Sequence, residues 1–148
     1  MKKIKNEDFA NAIKAIKEGP LFKREEILEK EYDGYVASVG ASVINSGLLP
    51  TLSFYTDVDK KERGKVRRYK LLQVIFQVMD TEAAHRAGDS KTGLLDHVLQ
   101  SVFADYATAK AGALGAPDKQ ILRKKTQDFL RAAVAVKLAM RNFEQSDS

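Results

Sequence analysis

Residues 43–70 of the chain, VINSGLLPTLSFYTDVDKKERGKVRRYK, contain two helix boundaries followed by a dense run of positive charge. An apolar run of helical spacing stops at Asn45-Ser46-Gly47, a typical helix end, and a new helical run begins at Leu48 and reaches about Tyr55. Pro50 is compatible with the first turn of this second helix, because its missing amide hydrogen would have no partner there. The stretch therefore predicts two consecutive helices joined by a tight turn.

Two helices are predicted upstream of this turn. Their apolar residues recur three or four positions apart, and the first pattern ends at Gly19-Pro20. Small side chains of the second helix fall on one strip, which would let a neighbouring helix approach closely. The apolar stripes are Phe9, Ile13 and Ile16 in the first helix and Leu28, Tyr32, Tyr35, Val39 and Val43 in the second, and the small strip is Gly34, Ser38, Ala41 and Asn45.

Three more helices are predicted downstream. The one from near Gly64 to Met79 is apolar around most of its circumference and should be the central, most buried helix. The last helix opens near Pro117-Asp118, which are favourable first-turn residues. The inward positions are Leu95, Val98, Leu99, Val102 and Tyr106 in the fifth helix and Leu122, Thr126, Phe129, Ala133, Val136, Met140 and Phe143 in the last.

We find no strand alternation, no hairpin signal and no internal repeat in the sequence. The prediction is an all-α fold, a compact single-domain bundle of about six helices that covers residues 1–148. Cysteine is absent, and no apolar run approaches the roughly 20 residues that would span a bilayer. The chain begins MKKIKNEDFA, with polar residues where a signal peptide would be apolar, so we expect a cytoplasmic protein without a membrane partner.

The positive charge of the chain is concentrated in one segment. The net charge is +5, yet residues 60–70 contain seven cations and a single carboxylate, Glu62. Cations in the first turn of a helix are mildly unfavourable, by about 0.3 to 1 kcal/mol each, because the helix dipole is already positive there. The same turn binds phosphate well, so the cluster favours contacts with a nucleic-acid backbone over a merely solubilising role. The cations are Lys60, Lys61, Arg63, Lys65, Arg67, Arg68 and Lys70.

Further cations and two tyrosines extend this interpretation. Lys119, Arg123, Lys137 and Arg141 fall on one flank of the last helix and predict a second, linear basic surface. Tyr55 and Tyr69 flank the cluster, and either stacking on bases or packing in the core is compatible with them. No zinc finger or other base-reading motif is present, so the expected contacts are to backbone and shape.

Catalytic motifs are missing from the sequence. His85 and His97 have no spacing suited to a metal site or a triad, and Asp57-Val58-Asp59 is followed at once by two lysines that compete for its carboxylates. The segment GDSKTG at residues 88–93 lacks the residue order and the preceding strand of a phosphate loop. We therefore expect a protein that is not an enzyme and needs no metal or cofactor.

Several segments resemble the small subunit of Cmr-type (type III-B) CRISPR effector complexes. In that family a helix ends at an Asn-x-Gly-Leu turn and a Thr-Leu-Ala-Phe-like helix follows, and later helices carry matching positions in the same order. The segments that carry the resemblance are Tyr35, Ile44 to Leu48, Thr51 to Tyr55, Tyr69-x-x-Leu72-x-x-Ile75, Thr126-x-x-Phe129-Leu130 and Lys137-Leu138-Ala139.

The resemblance implies a helical subunit that is not itself a nuclease and that serves in antiviral defence. Several copies would stack along the backbone subunits that carry the guide RNA, beside the large subunit, and their basic faces would line the channel for target RNA. The residues that match this role are the seven cations of residues 60–70 together with Lys137 and Arg141.

Three alternatives stay open at this point. One is the equivalent small subunit of a Csm-type complex, which differs in its partners. Another is a stand-alone helical adaptor whose basic patch docks an acidic protein, and the last is a small metal-dependent nuclease. Internal ion pairs of Arg67 and Arg68, or a sheet at the centre of the molecule, would count against the RNA interpretation.

Overall fold

The computed structural model describes residues 4–56, 63–80, 93–110 and 112–146. Six helices lie in these ranges, which confirms the predicted all-α class. Three very short strands accompany them. The helices are α1 (Asn6–Glu18), α2 (Glu31–Ser46), α3 (Leu48–Tyr55), α4 (Arg63–Met79), α5 (Gly93–Val102) and α6 (Lys119–Met140), and the strands are β1 (Phe22–Arg24), β2 (Ile27–Leu28) and β3 (Glu144–Gln145).

Helix α4 occupies the centre of the core, as its apolar circumference predicts. It packs against α1, α2, α3 and α6. Its middle is fully buried, from Leu71 and Leu72 to Ile75 and Phe76. The Phe76 ring meets the ring of Phe129 from α6 edge to face, with centroids 5.9 Å apart. Such aromatic pairs add about 0.5 to 1.5 kcal/mol beyond the area they bury.

Helices α4 and α6 run antiparallel. Phe76 of α4 meets Phe129 of α6, and Asp80, just after α4, lies 3.7 Å from the ammonium group of Lys125, one turn earlier in α6. Later residues of α4 thus contact earlier residues of α6. The start of α4 and the end of α6 therefore lie at the same end of the bundle.

The predicted turn between the second and third helices is confirmed. Gly47 has a φ of 93°, in the left-handed region that favours glycine, and its amide donates to the carbonyl of Val43 to end α2. Helix α3 then returns along α2. The hydroxyls of Ser42 and Thr51 lie 2.8 Å apart across this hairpin.

The expectation of a chain without strands is wrong, although the sheet is small and peripheral. β1 and β2 form an antiparallel hairpin, and β3 pairs with β2 in parallel. The hairpin turns at Glu26, whose φ of 54° is in the left-handed region. Because this residue is not glycine, the turn has no glycine signal in the sequence. Strands of two or three residues are also too short for a visible alternation. The sheet lies beside the helical core, and the central layer is made of helices.

Three predicted helix boundaries also shift. Leu28 is buried as expected, but it lies in β2 and α2 begins only at Glu31. α5 ends at Val102, so Tyr106 lies beyond it, where its hydroxyl donates to the Asp96 carboxylate at 3.0 Å. α6 ends at Met140, and Phe143 packs on Phe22 with ring centroids 5.5 Å apart. Leu28 and Phe143 thus keep their apolar packing without a helical backbone, whereas Tyr106 is held by a polar contact.

The strip of small residues on α2 is not a packing seam within the described part of the chain. Gly34, Ser38, Ala41 and Asn45 are all exposed, and a Cβ added at Gly34 would meet nothing within 4 Å. The core instead takes the opposite face of α2, which consists of Tyr32, Val36, Val39 and Val43. Likewise α1 buries Ala12, Ala15 and Ile16, while Phe9 is 37% exposed.

Candidate nucleic-acid interface

Three chain segments meet at the end of the bundle where α4 starts and α6 ends. β3 follows α6 and pairs with β2, and the amide of Ser146 donates to the carbonyl of Leu28 at 2.9 Å. Glu29, the residue after β2, in turn forms an ion pair with Arg67 of α4. These contacts fix the basic segment of α4 near the basic end of α6, although the two are about 70 residues apart in sequence.

The predicted cations divide into three groups by position. Lys60 and Lys61 lie outside the described residues. Arg63 and Lys65 belong to the first turn of α4, and Arg67, Arg68 and Lys70 to the next. Lys137 lies in the last turn of α6 and Arg141 directly follows that helix.

The charge of Arg67 is engaged inside the protein. Its Nε donates to the Glu29 carboxylate, and the two side chains are only 20% and 21% exposed. Burial lowers the pKa of Arg67, but the hydrogen bond that Arg67 donates to Glu29 and the charges of Glu29 and Glu31 outweigh it and raise the pKa overall. This internal ion pair counts against a free phosphate contact for Arg67. We therefore leave Arg67 out of the proposed surface.

Arg68 points to a different neighbour. It follows Arg67 by one position, which is about 100° around the helix, so it faces α3 instead of β2. Its guanidinium carbon lies 4.7 Å from the centroid of the Phe54 ring, a cation–π geometry. Within the described ranges Arg68 forms no ion pair, and its buried Nε has no hydrogen-bond partner. Its positive charge is therefore supported by an aromatic ring and is not neutralised by any carboxylate in the described part of the chain.

The remaining cations of this end carry no ion pair with any described residue. Lys70 and Lys137 are half-buried, and Arg141 is exposed. We call the four cations at this end, Arg68, Lys70, Lys137 and Arg141, the basic end. Glu144 is an exposed carboxylate in the same region. Cations without a partner carboxylate keep their attraction for anions, so this group is the candidate contact for a phosphate chain.

The four cations of the predicted linear surface lie as two pairs at opposite ends of α6. Lys119 and Arg123 are exposed near its start, whereas Lys137 and Arg141 lie near its end. A helix rises 1.5 Å per residue, so Lys119 and Arg141 are separated by about 33 Å. Only the second pair belongs to the basic end.

The aromatic residue that faces this cluster is Phe54, and Tyr55 takes the core-packing role that the sequence also allowed. Tyr55 is 3% exposed, and its hydroxyl donates to the Tyr35 carbonyl at 3.4 Å, so it packs in the core. Phe54 is 56% exposed instead. The buried face of α3 consists of Leu48, Thr51, Leu52 and Tyr55. Phe54 lies about 120° from the middle of that face, and this helical angle is the signal that could have identified it.

The described part of the chain contains neither a metal-binding cluster nor a helix suited to span a membrane. No group of three or more histidine, cysteine, aspartate or glutamate side chains there is arranged to hold a metal ion. His97 instead lies 3.4 Å from the Asp80 carboxylate. His85 and Asp57-Val58-Asp59 lie outside the described residues. Among the helices that are described, none has both the length and the apolar character needed to cross a bilayer.

Comparison with known protein families identifies the chain. The family model of CRISPR-associated protein (Cas_Cmr5) matches residues 4–118. The chain belongs to the Cmr5 family. This is the small-subunit family of type III-B, Cmr-type CRISPR complexes, so the predicted family is confirmed. Among curated proteins and among solved structures, the comparisons find no match.

The Cmr5 match covers the five helices α1 to α5 and the approach to α6. It includes the α2–α3 turn, which carries much of the resemblance, and the basic start of α4. Helix α6, with Lys137 and Arg141, follows the matched residues. Its place in the interface therefore rests on its antiparallel packing against α4 and on the β2–β3 pairing.

Proposed function

We propose that this Cmr5-family protein is a non-catalytic subunit of a type III-B effector complex in antiviral defence. It acts in the cytoplasm, stacks with further copies of itself along the backbone subunits, and touches the large subunit. Its basic end contacts the sugar-phosphate backbone of guide RNA or target RNA. The protein contributes shape and positive potential, and other subunits carry out the chemistry.

The observation that supports this proposal most is the convergence of two basic segments at one end of the bundle. The antiparallel packing of α4 and α6 brings Arg68 and Lys70 to the level of Lys137 and Arg141. A phosphate chain has one charge per nucleotide, so several cations at one end can contact successive phosphates. Contacts of this type are independent of base sequence, as a subunit that serves many different guides requires.

Family membership also decides between two of the alternatives. The match to Cmr5 favours a Cmr-type complex over a Csm-type complex. The stand-alone adaptor remains the second candidate, because a basic end without paired carboxylates would attract an acidic protein as well as RNA. The two candidates differ in one measurable respect. RNA binding releases counterions in proportion to the number of phosphate contacts, whatever the base sequence.

The salt dependence of RNA binding tests the proposal. We would neutralise Lys70 and Lys137 to glutamine and titrate the full chain, and the reconstituted complex, with unstructured single-stranded RNA across a salt series. Each lost phosphate contact flattens the slope of log K against log salt by about 0.7, so the double variant should lose about 1.4. Lys124→Gln is the matched control, because Lys124 is 68% exposed and pairs with Asp128. It lies thirteen residues before Lys137, about 20 Å along α6.

Two results would contradict the proposal. If the double variant and the Lys124→Gln control give the same slope as the wild type, the basic end does not contact RNA. If RNA binding is unchanged but an acidic protein partner is lost from the purified assembly, the adaptor is the better explanation.

A further inference from the structure

The exposed aromatic ring of Phe54 needs an explanation beyond core packing. Phe54 is 56% exposed in a helix whose other large residues are buried or, like Leu49, partly buried against the core. The Tyr55 ring lies next to it, with centroids 5.7 Å apart at an angle of 68°. Tyr55 is itself held by its hydrogen bond to the Tyr35 carbonyl, so the Phe54 ring rests on a fixed neighbour.

The cation on this ring belongs to the basic end. The Arg68 guanidinium lies over the ring of Phe54 at 4.7 Å from its centroid. An arginine plane on an aromatic ring restricts the motion of both. Phe54 still exposes 56% of its surface. Arg68 has five N–H donors, and its Nε is buried without a partner. The pair thus combines an open aromatic surface with a cation that no described carboxylate neutralises.

This combination suits a nucleobase next to a phosphate. Proteins that bind single-stranded RNA pair a positive groove, which follows the backbone, with aromatic side chains on which bases stack. Lys70 lies on the same helix about 200° around it from Arg68, so it adds positive charge to this end of the bundle without facing the Phe54 ring.

We infer that Phe54 and Arg68 form a stacking site for one unpaired base of single-stranded RNA. The base lies on the open part of the Phe54 ring, while Arg68 holds that ring in place and binds the adjacent phosphate. A purine suits the site better than a pyrimidine because it offers the larger flat surface. This inference rests on the proposed RNA contact and adds a base contact to a surface otherwise limited to the backbone.

The test uses the full-length chain and single-stranded RNA that contains 2-aminopurine, whose fluorescence is quenched by stacking. Phe54→Ala and Phe54→Leu should each weaken binding about 5- to 100-fold, which is the range for one stacked base, and should abolish the quenching. The slope of log K against log salt should stay unchanged, since no phosphate contact is lost. Phe54→Trp should retain both affinity and quenching.

A matched control separates stacking from general hydrophobic contact. Ile44 is 73% exposed and is not aromatic, so Ile44→Ala should leave affinity and fluorescence as in the wild type. Circular dichroism and thermal unfolding should show that the Phe54 variants keep their helix content, because the side chain contributes little to the core.

The outcomes also distinguish this inference from the proposed function. If neutralising Lys70 and Lys137 flattens the salt slope but Phe54→Ala changes neither affinity nor quenching, the backbone contact stands and the stacking site is overturned. If Phe54→Leu binds as well as the wild type, the ring is not a stacking surface. Loss of a protein subunit from the complex with unchanged RNA binding would make Phe54 a protein contact. A wild-type chain that fails to bind RNA at low salt overturns both.

Discussion

The Arg67 guanidinium and the Glu29 carboxylate form an ion pair that joins the start of α4 to the residue following β2. The contact spans 38 positions in sequence and ties the small sheet to the central helix. Both side chains are about four-fifths buried, so water screens their attraction less than it would at the surface. Removing one partner would leave a poorly solvated charge behind.

A double-mutant cycle should measure this contact. We expect Arg67→Met and Glu29→Gln to be coupled by about 0.5 to 3 kcal/mol in the free energy of unfolding, as for residues in direct contact. The exposed pair Lys124 and Asp128 on α6 provides the comparison, with an expected coupling of about 0.3 to 0.5 kcal/mol. Urea unfolding of the variants gives both values. Equal coupling in the two pairs would mean that the Arg67 contact contributes no more than a surface pair.

Breaking the same ion pair should strengthen RNA binding, although it weakens the fold. Glu29→Gln removes the carboxylate that neutralises Arg67 and frees a cation beside the basic end. We expect tighter binding to single-stranded RNA and a salt slope steeper by up to about 0.7, the value of one added contact. Filter binding across a salt series measures it. An unchanged slope would indicate that Arg67 is out of reach of the RNA even when it is unpaired.

Two glycines should respond in opposite ways to alanine. A Cβ at Gly19 would lie 2.5 Å from the Ala15 carbonyl oxygen and 3.0 Å from Cγ2 of Val74, so Gly19→Ala should destabilise the fold by about 1 to 3 kcal/mol. Gly34 lies inside α2 with open space around it, so Gly34→Ala should stabilise the fold by about 0.5 to 1 kcal/mol. Thermal unfolding compares the two, and a shift of the same sign in both would contradict this account.

The start of α6 depends on Asp118. Its carboxylate accepts from the amides of Gln120 and Ile121 at 3.0 and 3.1 Å, as an N-cap. We expect Asp118→Ala to cost about 0.5 to 2 kcal/mol, whereas Asp118→Ser keeps an acceptor and should cost much less. The midpoint of urea unfolding reports both. An alanine variant as stable as the serine variant would show that the cap is dispensable.

Alkaline pH should destabilise the fold through Tyr32. Burial, and secondly the charge of Glu29, raises the pKa of this phenol above its usual value. Above about pH 10 the unfolded chain releases a phenolic proton that the native chain keeps, so the unfolded state binds fewer protons and stability falls as pH rises. The contribution is complete below pH 10 and declines above it by up to about 1.4 kcal/mol per pH unit.

Comparing Tyr32→Phe with the wild type isolates this effect from the titration of lysines, which both chains share. The variant should show a shallower loss of unfolding free energy between about pH 10 and 11. Parallel curves in the two proteins would exclude Tyr32 as the titrating group.

Long periodic helices could be predicted from the sequence because their burial repeats over many turns. In α4 four adjacent or near-adjacent apolar residues, Leu71, Leu72, Ile75 and Phe76, fall on one side of the helix and fill the centre of the core. The Gly47 turn was equally accessible, since its positive φ requires the residue type that stands there. Local chemistry and tertiary packing agree in both places.

The rest depends on contacts between distant residues. Nothing near Arg67 and Arg68 indicates that Glu29 neutralises the first and Phe54 supports the second, because those partners lie on other elements. The choice between Phe54 and Tyr55 is partly different. Both residues are apolar and adjacent, and the helical spacing of Tyr55 from Leu48 and Leu52 is the signal that directs its ring inward when α3 packs on α2. The candidate site could therefore be located by charge, while its composition required the fold.

The shortness of the sheet has a consequence for crowded assemblies. Its edge strands are β1 and β3, which have three and two residues, and β1 exposes Lys23 and Arg24. Because these edge strands are short and β1 is charged, a strand from a neighbouring molecule can hardly pair with them. Many molecules can thus lie side by side at high local concentration without growing into a shared β-fibre.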